Sequence, residues 1–245
     1  MLVPAGESEA ATAQLLDLFP PGFAWEERAH GVEYVLYLDA DGVERLLAAF
    51  PEATSEPFRD DWEDAWKAFH VPAVVGPLWI GPPWRRPPPR LEPVVIEPGR
   101  AFGTGAHPTT RLCLAFLLEL GRGALLDVGC GSGVLAIAAA KLGYGPVVAV
   151  DLTEAAVEAT RRNAAANGVE LEVRHADARA DPLPRVAVAV ANIALEAVEA
   201  IGARLRADRV VASGYLTGQR PRLASFRHVA RRAEEPWAAD LYERE

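Results

Sequence analysis

Hydrophobic and polar positions follow a regular pattern in the second half of the chain. From Thr109 onward, short apolar runs alternate with amphipathic segments, which predicts strands that alternate with helices. The predicted strands are residues 124–128, 146–150, 170–175, 186–191 and 209–213. The predicted helices are residues 109–120, 134–142, 154–167 and 194–205. Because the strands are almost wholly apolar, they indicate a mostly parallel sheet covered by helices on both faces.

The two ends of the chain depart from this alternation. Near the C-terminus, residues 228–234 and 237–243 predict two strands with a tight connection, and therefore an antiparallel hairpin at the edge of the sheet. The first 58 residues predict the order β-α-β-β-α-β, which is typical of a small ferredoxin-like α+β domain. Its predicted elements are residues 1–5, 9–19, 23–28, 32–39, 43–50 and 53–58.

The segment between these parts predicts a linker and a long loop. Residues 59–70 predict a linking helix, and residues 71–80 and 93–97 predict two apolar strands. The proline-rich residues 81–90 between those strands predict a surface loop. The pattern therefore divides the chain into a small α+β domain (1–58), a linker helix (59–70) and an α/β domain (71–245).

Composition excludes several classes of protein. Half of the 245 residues are hydrophobic and 24% are charged, as expected for a globular protein with a sizeable core. We expect no membrane span and no signal peptide, because the apolar stretches are interrupted and the N-terminus has no basic lead. Two cysteines do not support a disulfide scaffold or a cysteine-based metal site. These features indicate a cytoplasmic protein without a bound metal.

Charge is distributed unevenly along the chain. The formal net charge is −9, and the first 70 residues carry 15 acidic but only 4 basic side chains. A strongly acidic region attracts a basic partner and repels a phosphate backbone. We therefore expect a basic partner and no direct binding of nucleic acid.

A glycine-rich segment gives the first chemical signal. Residues 125–133 have the sequence Leu-Leu-Asp-Val-Gly-Cys-Gly-Ser-Gly, in which a predicted strand passes through glycines into a helix. A dinucleotide-binding fingerprint would have its third glycine at the position of Val134. The observed spacing instead resembles the first motif of class I S-adenosylmethionine (SAM) methyltransferases, whose loop surrounds the methionine part of the cofactor. A tight turn between strand and helix is the alternative explanation.

Two aspartates follow the next predicted strands. Asp151 ends the strand after the glycine loop, where a carboxylate can accept hydrogen bonds from both ribose hydroxyls of a nucleoside. Asp177 follows the third strand, where an acidic group can meet the edge of an adenine. Either aspartate alone is also explained as a helix cap or a turn residue.

A second motif is longer and more specific. Residues 97–110 have the sequence Glu-Pro-Gly-Arg-Ala-Phe-Gly-Thr-Gly-Ala-His-Pro-Thr-Thr, which predicts a shaped loop leading into a helix. This segment resembles the ribosomal protein L11 methyltransferase (PrmA) family, as do Ala-Asn-Ile at 191–193 and Ser-Gly-Tyr-Leu at 213–216. The resemblance covers residues 60–220 well and the first 58 residues only by architecture.

The resemblance implies both fold and function. It implies a Rossmann-like class I methyltransferase domain, SAM as cofactor, and an N-terminal domain that docks the substrate. The implied reaction methylates lysine side chains or the α-amine of a basic large-subunit ribosomal protein. Two other functions remain open, a SAM-dependent methyltransferase of another substrate and a non-catalytic SAM-binding module. The cofactor-binding positions that the motifs predict are Phe102, Thr110, Gly129, Gly131, Asp151, Asp177 and Asn192.

Two side chains are candidates for the chemistry itself. The carbonyl of Asn192 can hold a neutral amine with its lone pair aimed at the methyl group, and a turn residue after a strand is the alternative. His107 can accept the proton of the amine or form a hydrogen bond that stabilises its own loop. Phe102 can cover the cofactor or pack in the core, Glu97 is expected to stabilise the loop, and Cys130 is expected to fill space.

Overall fold

The computed structural model describes residues 2–4, 7–19, 24–28, 31–36, 38–55, 71–98 and 105–245. The chain divides into two compact units, Met1–Asp64 and Ala65–Glu245. The described part of each unit has a hydrophobic core of its own. The linker helix predicted over residues 59–70 lies outside the described residues.

The first unit contains a small antiparallel sheet. Its strands β1, β2 and β3 lie in the order β1-β3-β2, and both neighbouring pairs are antiparallel. Leu15, Tyr34 and Leu46 are buried in its core. Residues 53–55 of the predicted last strand form no strand, and residues 56–58 lie outside the described part. The elements are β1 (Leu2–Val3), α1 (Ser8–Leu18), β2 (Ala24–Arg28), β3 (Gly31–Val35) and α2 (Ala40–Ala49).

The second unit begins with a three-stranded sheet that the sequence pattern did not predict. The single strand predicted over residues 71–80 is wrong, because Gly76 adopts a φ of +55° and turns the chain into a hairpin. The third strand pairs in parallel with the second strand of this hairpin, and a long loop joins the two. The elements are β4 (Ala73–Val75), β5 (Leu78–Gly81) and β6 (Glu92–Val95).

A seven-stranded sheet forms the body of this unit. Its order is β12-β13-β11-β10-β7-β8-β9, with parallel pairing from β11 through β9. The last two strands form an antiparallel hairpin, with β12 at the edge and β13 against β11. The strands are β7 (Leu125–Val128), β8 (Val147–Asp151), β9 (Glu172–His175), β10 (Arg185–Asn192), β11 (Arg206–Leu216), β12 (Phe226–Glu234) and β13 (Trp237–Arg244).

Helices cover both faces of this sheet, because neighbouring residues of a buried strand point to opposite sides. In β7, Leu125 belongs to one core and Leu126 to the other. In β10, Val190 belongs to the same core as Leu125, and Ala191 belongs to the same core as Leu126. The helices are α3 (Pro108–Glu119), α4 (Val134–Lys141), α5 (Glu154–Ala166) and α6 (Leu195–Gly202). The predicted mixed α/β sheet and its antiparallel edge hairpin are therefore confirmed.

Candidate active site

A cavity of about 950 Å³ lies at the carboxyl ends of β7, β8 and β10. The sheet order reverses around β7, since β8 and β10 lie on its two sides, and open α/β sheets bind ligands at such a switch point. Phe102 lies outside the described residues. The other residues that the sequence predicted all line the cavity, namely His107, Thr110, Gly129, Gly131, Asp151, Asp177 and Asn192.

The glycine loop forms one wall of the cavity with its backbone. Gly129, Gly131 and Gly133 have φ values of +72°, +55° and +83°, which side chains with a Cβ rarely adopt. A Cβ on Gly129 would also lie 2.4 Å from Cγ2 of Ile193. The Gly129 amide donates to the Val150 carbonyl over 2.8 Å and so ties the loop to β8. These glycines therefore let the backbone itself face the cavity.

Polar side chains of α5 hold this loop from behind. The Thr160 hydroxyl donates to the Gly131 carbonyl (3.1 Å) and to Sγ of Cys130 (3.3 Å). The side-chain amide of Asn163 donates to the Ser132 backbone carbonyl over 2.8 Å. Burial raises the pKa of the Cys130 thiol to about 12, so the thiol stays neutral and fills space. The sequence pattern does not identify Thr160 and Asn163, because helical periodicity does not mark which polar residue faces a distant loop.

The same helix anchors the segment that enters the second motif. Oδ1 of Asn163 accepts a hydrogen bond from the Glu97 amide over 3.1 Å. Asn167 binds both backbone groups of Val95, with distances of 2.8 Å from the amide and 2.6 Å to the carbonyl. Beyond the undescribed residues 99–104, Gly105 has a φ of +86° and lies against the Ile80 side chain. Helix α5 thus fixes two loops through Asn163.

The Asp151 carboxylate links the glycine loop to the next helix. Its Oδ2 accepts from the Gly131 amide over 3.1 Å. Its Oδ1 accepts from the amide and the hydroxyl of Thr153, over 2.9 and 3.0 Å. Because the side chain is only partly buried and lines the cavity, its remaining lone pairs can accept hydrogen bonds from a ligand.

Asp177 lines the cavity but already has a charged partner. Arg179 donates from Nε to Oδ1 and from a terminal nitrogen to Oδ2, each over 2.9 Å. These hydrogen bonds hold the pKa of the Asp177 carboxyl below its usual value. Both carboxylate oxygens therefore accept from Arg179, so an adenine edge can reach this carboxylate only through its remaining lone pairs.

Asn192 presents a buried oxygen without a partner. The side-chain amide donates weakly to Oγ1 of Thr110 over 3.4 Å, which turns the other end of the amide away from Thr110. Its Oδ1 is buried and has no hydrogen-bond partner among the described residues. A buried acceptor without a partner costs about 1–3 kcal/mol, so a hydrogen-bond donor that reached this oxygen would remove that cost.

His107 caps α3 through its own ring. Nδ1 accepts from the Thr109 amide over 3.4 Å and lies 2.7 Å from the Thr109 hydroxyl. The ring also packs edge-on against Trp237, with 4.8 Å between ring centroids. Burial and the neighbouring Arg111 lower the pKa of His107, although Glu234 opposes them. These contacts favour a role for His107 in stabilising its loop. Proton acceptance by His107 stays a prediction.

Asp127 is a functional candidate that sequence analysis did not single out. The side chain is 1% exposed, lines the cavity floor, and accepts from the Ala136 amide in the first turn of α4 over 3.1 Å. Burial raises the pKa of its carboxyl to about 7, against the opposing effect of the Ala136 amide. A nearby positive charge would favour the ionised carboxylate.

We expect Asp127 to make stability depend on pH between about 4 and 7. A carboxyl with a raised pKa stabilises the fold below its unfolded pKa, and this contribution disappears as the pH rises through about 7. Replacing Asp127 with asparagine removes the titration but keeps an acceptor for Ala136. Urea unfolding at pH 5 and pH 8 should therefore show a stability advantage of wild type over Asp127→Asn that shrinks at pH 8. An advantage that is the same at both pH values contradicts this assignment.

The described residues contain no group of three or more histidine, cysteine, aspartate or glutamate side chains able to hold a metal ion. Within the same part of the chain, no helix has the length and apolarity needed to span a bilayer.

A family model and two curated relatives agree on one family. The family model of the ribosomal protein L11 methyltransferase (PrmA) matches residues 33–238. The ribosomal protein L11 methyltransferase of Symbiobacterium thermophilum is 38% identical over 203 residues, which are 74% of this chain and 65% of that protein. The protein of the same name from Bordetella parapertussis is 52% identical over 122 residues, which are 49% of this chain and 39% of that protein.

A solved structure shows the same fold. The crystal structure of a ribosomal protein L11 methylase from Lactobacillus delbrueckii subsp. bulgaricus matches with a TM-score of 0.64 and 30% identity, over 72% of this chain and 99% of that one. The matched segments span 39% to 65% of the two curated relatives described above. Because the family model covers most of the sequence, from residue 33 to residue 238, the chain belongs to the ribosomal protein L11 methyltransferase (PrmA) family.

Proposed function

We propose that this chain is a SAM-dependent methyltransferase that transfers methyl groups to amino groups of ribosomal protein L11. The observation that carries the proposal is the cavity, which the glycine loop, the Asp151 carboxylate and Asn192 line together. The buried Oδ1 of Asn192 has no hydrogen-bond partner among the described residues. Family membership supports the reaction class, and the names of the relatives support the substrate. Lysine side chains and the α-amine are the proposed acceptors.

The residues of the cavity fit the proposed cofactor. Gly129 lines the cavity with its backbone at a positive φ, and a backbone without a Cβ lets a ligand approach closely. Asp151 offers an acceptor for ribose hydroxyls. Burial raises the pKa of the Asp127 carboxyl to about 7, and a positively charged cofactor nearby would favour its ionised form. When bound, SAM supplies a methyl group activated by its positively charged sulfur. Thr110, Gly131 and Asp177 complete the proposed cofactor site.

Asn192 is the proposed positioning residue for the amine. Its Oδ1 can accept a hydrogen bond from the amine, which aims the nitrogen lone pair away from the side chain and towards the methyl group. Hydrogen bonding to Thr110 fixes the orientation of the amide in advance. The amine must be neutral to react, and lysine has a reference pKa of about 10.4. Burial in this largely apolar cavity favours the neutral form.

The first unit is proposed to dock the substrate. Residues 1–70 carry 15 acidic but only 4 basic side chains, so the net negative charge of the chain is concentrated there, and such a region attracts a basic protein. Residues 1–58 are the proposed docking domain and residues 71–245 the proposed methyltransferase domain. Since its proposed substrate is part of the ribosome, we place the enzyme in the cytoplasm.

Methyl transfer from radiolabelled SAM to purified ribosomal proteins tests this function. The proteins should come from a strain that lacks the enzyme, so that their amino groups are unmodified. We expect label in ribosomal protein L11 alone. Label in RNA, in another protein or in no macromolecule would exclude the proposed substrate, while binding of SAM without any transfer would exclude the enzymatic activity.

The Asp151→Ala variant should weaken SAM binding by about 2–4 kcal/mol, because it removes a charge-assisted acceptor for the ribose. Calorimetric titration with SAM measures the effect. Asp208→Ala is a matched control, since Asp208 is an exposed carboxylate near the opposite end of the sheet and does not line the cavity. Unchanged SAM affinity in a folded Asp151→Ala variant would argue against the cofactor site.

A further inference from the structure

The loop between β5 and β6 is rich in both proline and arginine. Residues 82–90 contain five prolines and three arginines, and they have no acidic residue. Arg85, Arg86 and Arg90 are all exposed. We call residues 82–90 the arginine loop. The proposed methyl-transfer chemistry does not use it.

The charges of this loop are not neutralised within the described structure. Neither Arg85, Arg86 nor Arg90 forms an ion pair with any described residue. Many other basic side chains of the unit do have acidic partners. Examples are Arg111 with Glu234, Lys141 with Glu92, Arg174 with Glu172, Arg209 with Glu243 and Arg232 with Glu119.

The backbone of the loop is stiff. Proline fixes φ, and two turns close within the loop region, from the Arg85 amide to the Pro82 carbonyl and from the Leu91 amide to the Pro88 carbonyl, each over 3.1 Å. A stiff loop loses little conformational entropy when it binds a partner. Three exposed arginines within six residues of such a loop provide a cationic segment whose backbone is already ordered.

The root of the loop lies close to the candidate active site. The Gly81 carbonyl accepts from the Ile96 amide over 2.9 Å, one residue before Glu97 of the second motif. Ile80 packs against Gly105, two residues before His107, which lines the cavity. A macromolecule that places an amine in the cavity therefore has neighbouring parts within reach of the loop.

We propose that the arginine loop binds the phosphate backbone of RNA that accompanies the ribosomal protein substrate. This inference rests on the proposed function, because RNA is expected beside the enzyme only if its substrate is a ribosomal protein. Guanidinium groups bind phosphate oxygens through paired hydrogen bonds, and this contact needs no particular base sequence. The expectation that the chain binds no nucleic acid rests on the acidic charge of residues 1–70. The proposed RNA contact of the arginine loop would be an exception to that expectation.

Fluorescence anisotropy with a fluorescein-labelled 20-nucleotide RNA hairpin tests the proposal directly. The loop variant carries Arg85→Gln, Arg86→Gln and Arg90→Gln. The control variant carries Arg206→Gln, Arg220→Gln and Arg222→Gln, which remove three exposed arginines outside the loop. At low salt we expect about tenfold weaker RNA binding for the loop variant and little change for the control. The salt dependence of binding should also become less steep in the loop variant.

Methylation kinetics then test the consequence for the enzyme. The loop variant should have a raised KM for ribosomal protein L11 within the large ribosomal subunit, and an unchanged KM for the free protein. Equal RNA binding by wild type and loop variant, or an equal loss in the control variant, would overturn the proposal. If wild type binds RNA through the loop but methylates neither form of the protein, the proposed function fails while the loop assignment stands.

Discussion

Replacing Asn192 with alanine should lower kcat about 100-fold, because the amine loses the acceptor that holds it in line with the methyl group. The buried Oδ1 of this side chain has no partner among the described residues, and its amide nitrogen makes only the long 3.4 Å hydrogen bond to the Thr110 hydroxyl, so its removal should disturb the fold little. Single-turnover methylation at saturating SAM measures the chemical step. Calorimetric titration with SAM measures how much of the effect comes from cofactor binding.

The Thr110→Val variant gives a graded comparison. It keeps Asn192 but removes the hydroxyl that accepts from its amide. We expect a smaller decrease in kcat, since the amide keeps its acceptor but loses its fixed orientation. If Asn192→Ala retains the wild-type kcat while SAM affinity falls, Asn192 serves the cofactor and not the amine.

The second large effect is expected at Asp240, which is buried in the edge hairpin. The side chain is fully buried and accepts from Arg231 (2.9 and 2.7 Å) and from the Tyr215 hydroxyl (2.9 Å), while His228 Nε2 lies 2.7 Å away. Replacing it with alanine leaves a partly buried guanidinium without its counter-charge. We expect a loss of about 3–5 kcal/mol in the free energy of unfolding, measured by urea denaturation.

An exposed ion pair supplies the control for this stability prediction. Asp208 contacts Arg185 over 3.4 Å with both side chains largely in solvent, so Asp208→Ala should cost less than about 1 kcal/mol. Burial raises the pKa of Asp240, but the hydrogen bonds from Arg231, His228 and Tyr215 outweigh it and lower the pKa. The contribution of Asp240 is therefore present above its unfolded pKa and lost as the pH falls through its lower folded pKa. Equal losses in the Asp240→Ala and Asp208→Ala variants would contradict the buried network.

The positions of the candidate site residues were predictable because they follow strand ends. Gly129 and Asp151 come at the ends of apolar runs, and parallel strands bring such ends to one edge of the sheet. Asn192 ends a third run in the same way. The motif around His107 placed the remaining residues, because the loop leads directly into α3 at Pro108.

Other features depend on partners that are distant in sequence. The pairing of Asp177 with Arg179 is local, but whether its carboxylate faces solvent or the cavity depends on the packing of the loop. The hairpin of β4 and β5 was missed because an apolar run does not show where a glycine adopts a positive φ. The roles of Thr160 and Asn163 were missed because helical spacing marks faces and not the individual partners of polar groups.

The sequence by itself determined the alternation of strands and helices, the family and the residues that meet at the carboxyl edge of the sheet. These features follow from local periodicity and from contiguous motifs. Only the tertiary structure decided the chemical state of the groups there, since burial raises the pKa of Asp127 and leaves Oδ1 of Asn192 without a partner. Burial and hydrogen bonding arise from segments far apart in the chain, and no local pattern records them.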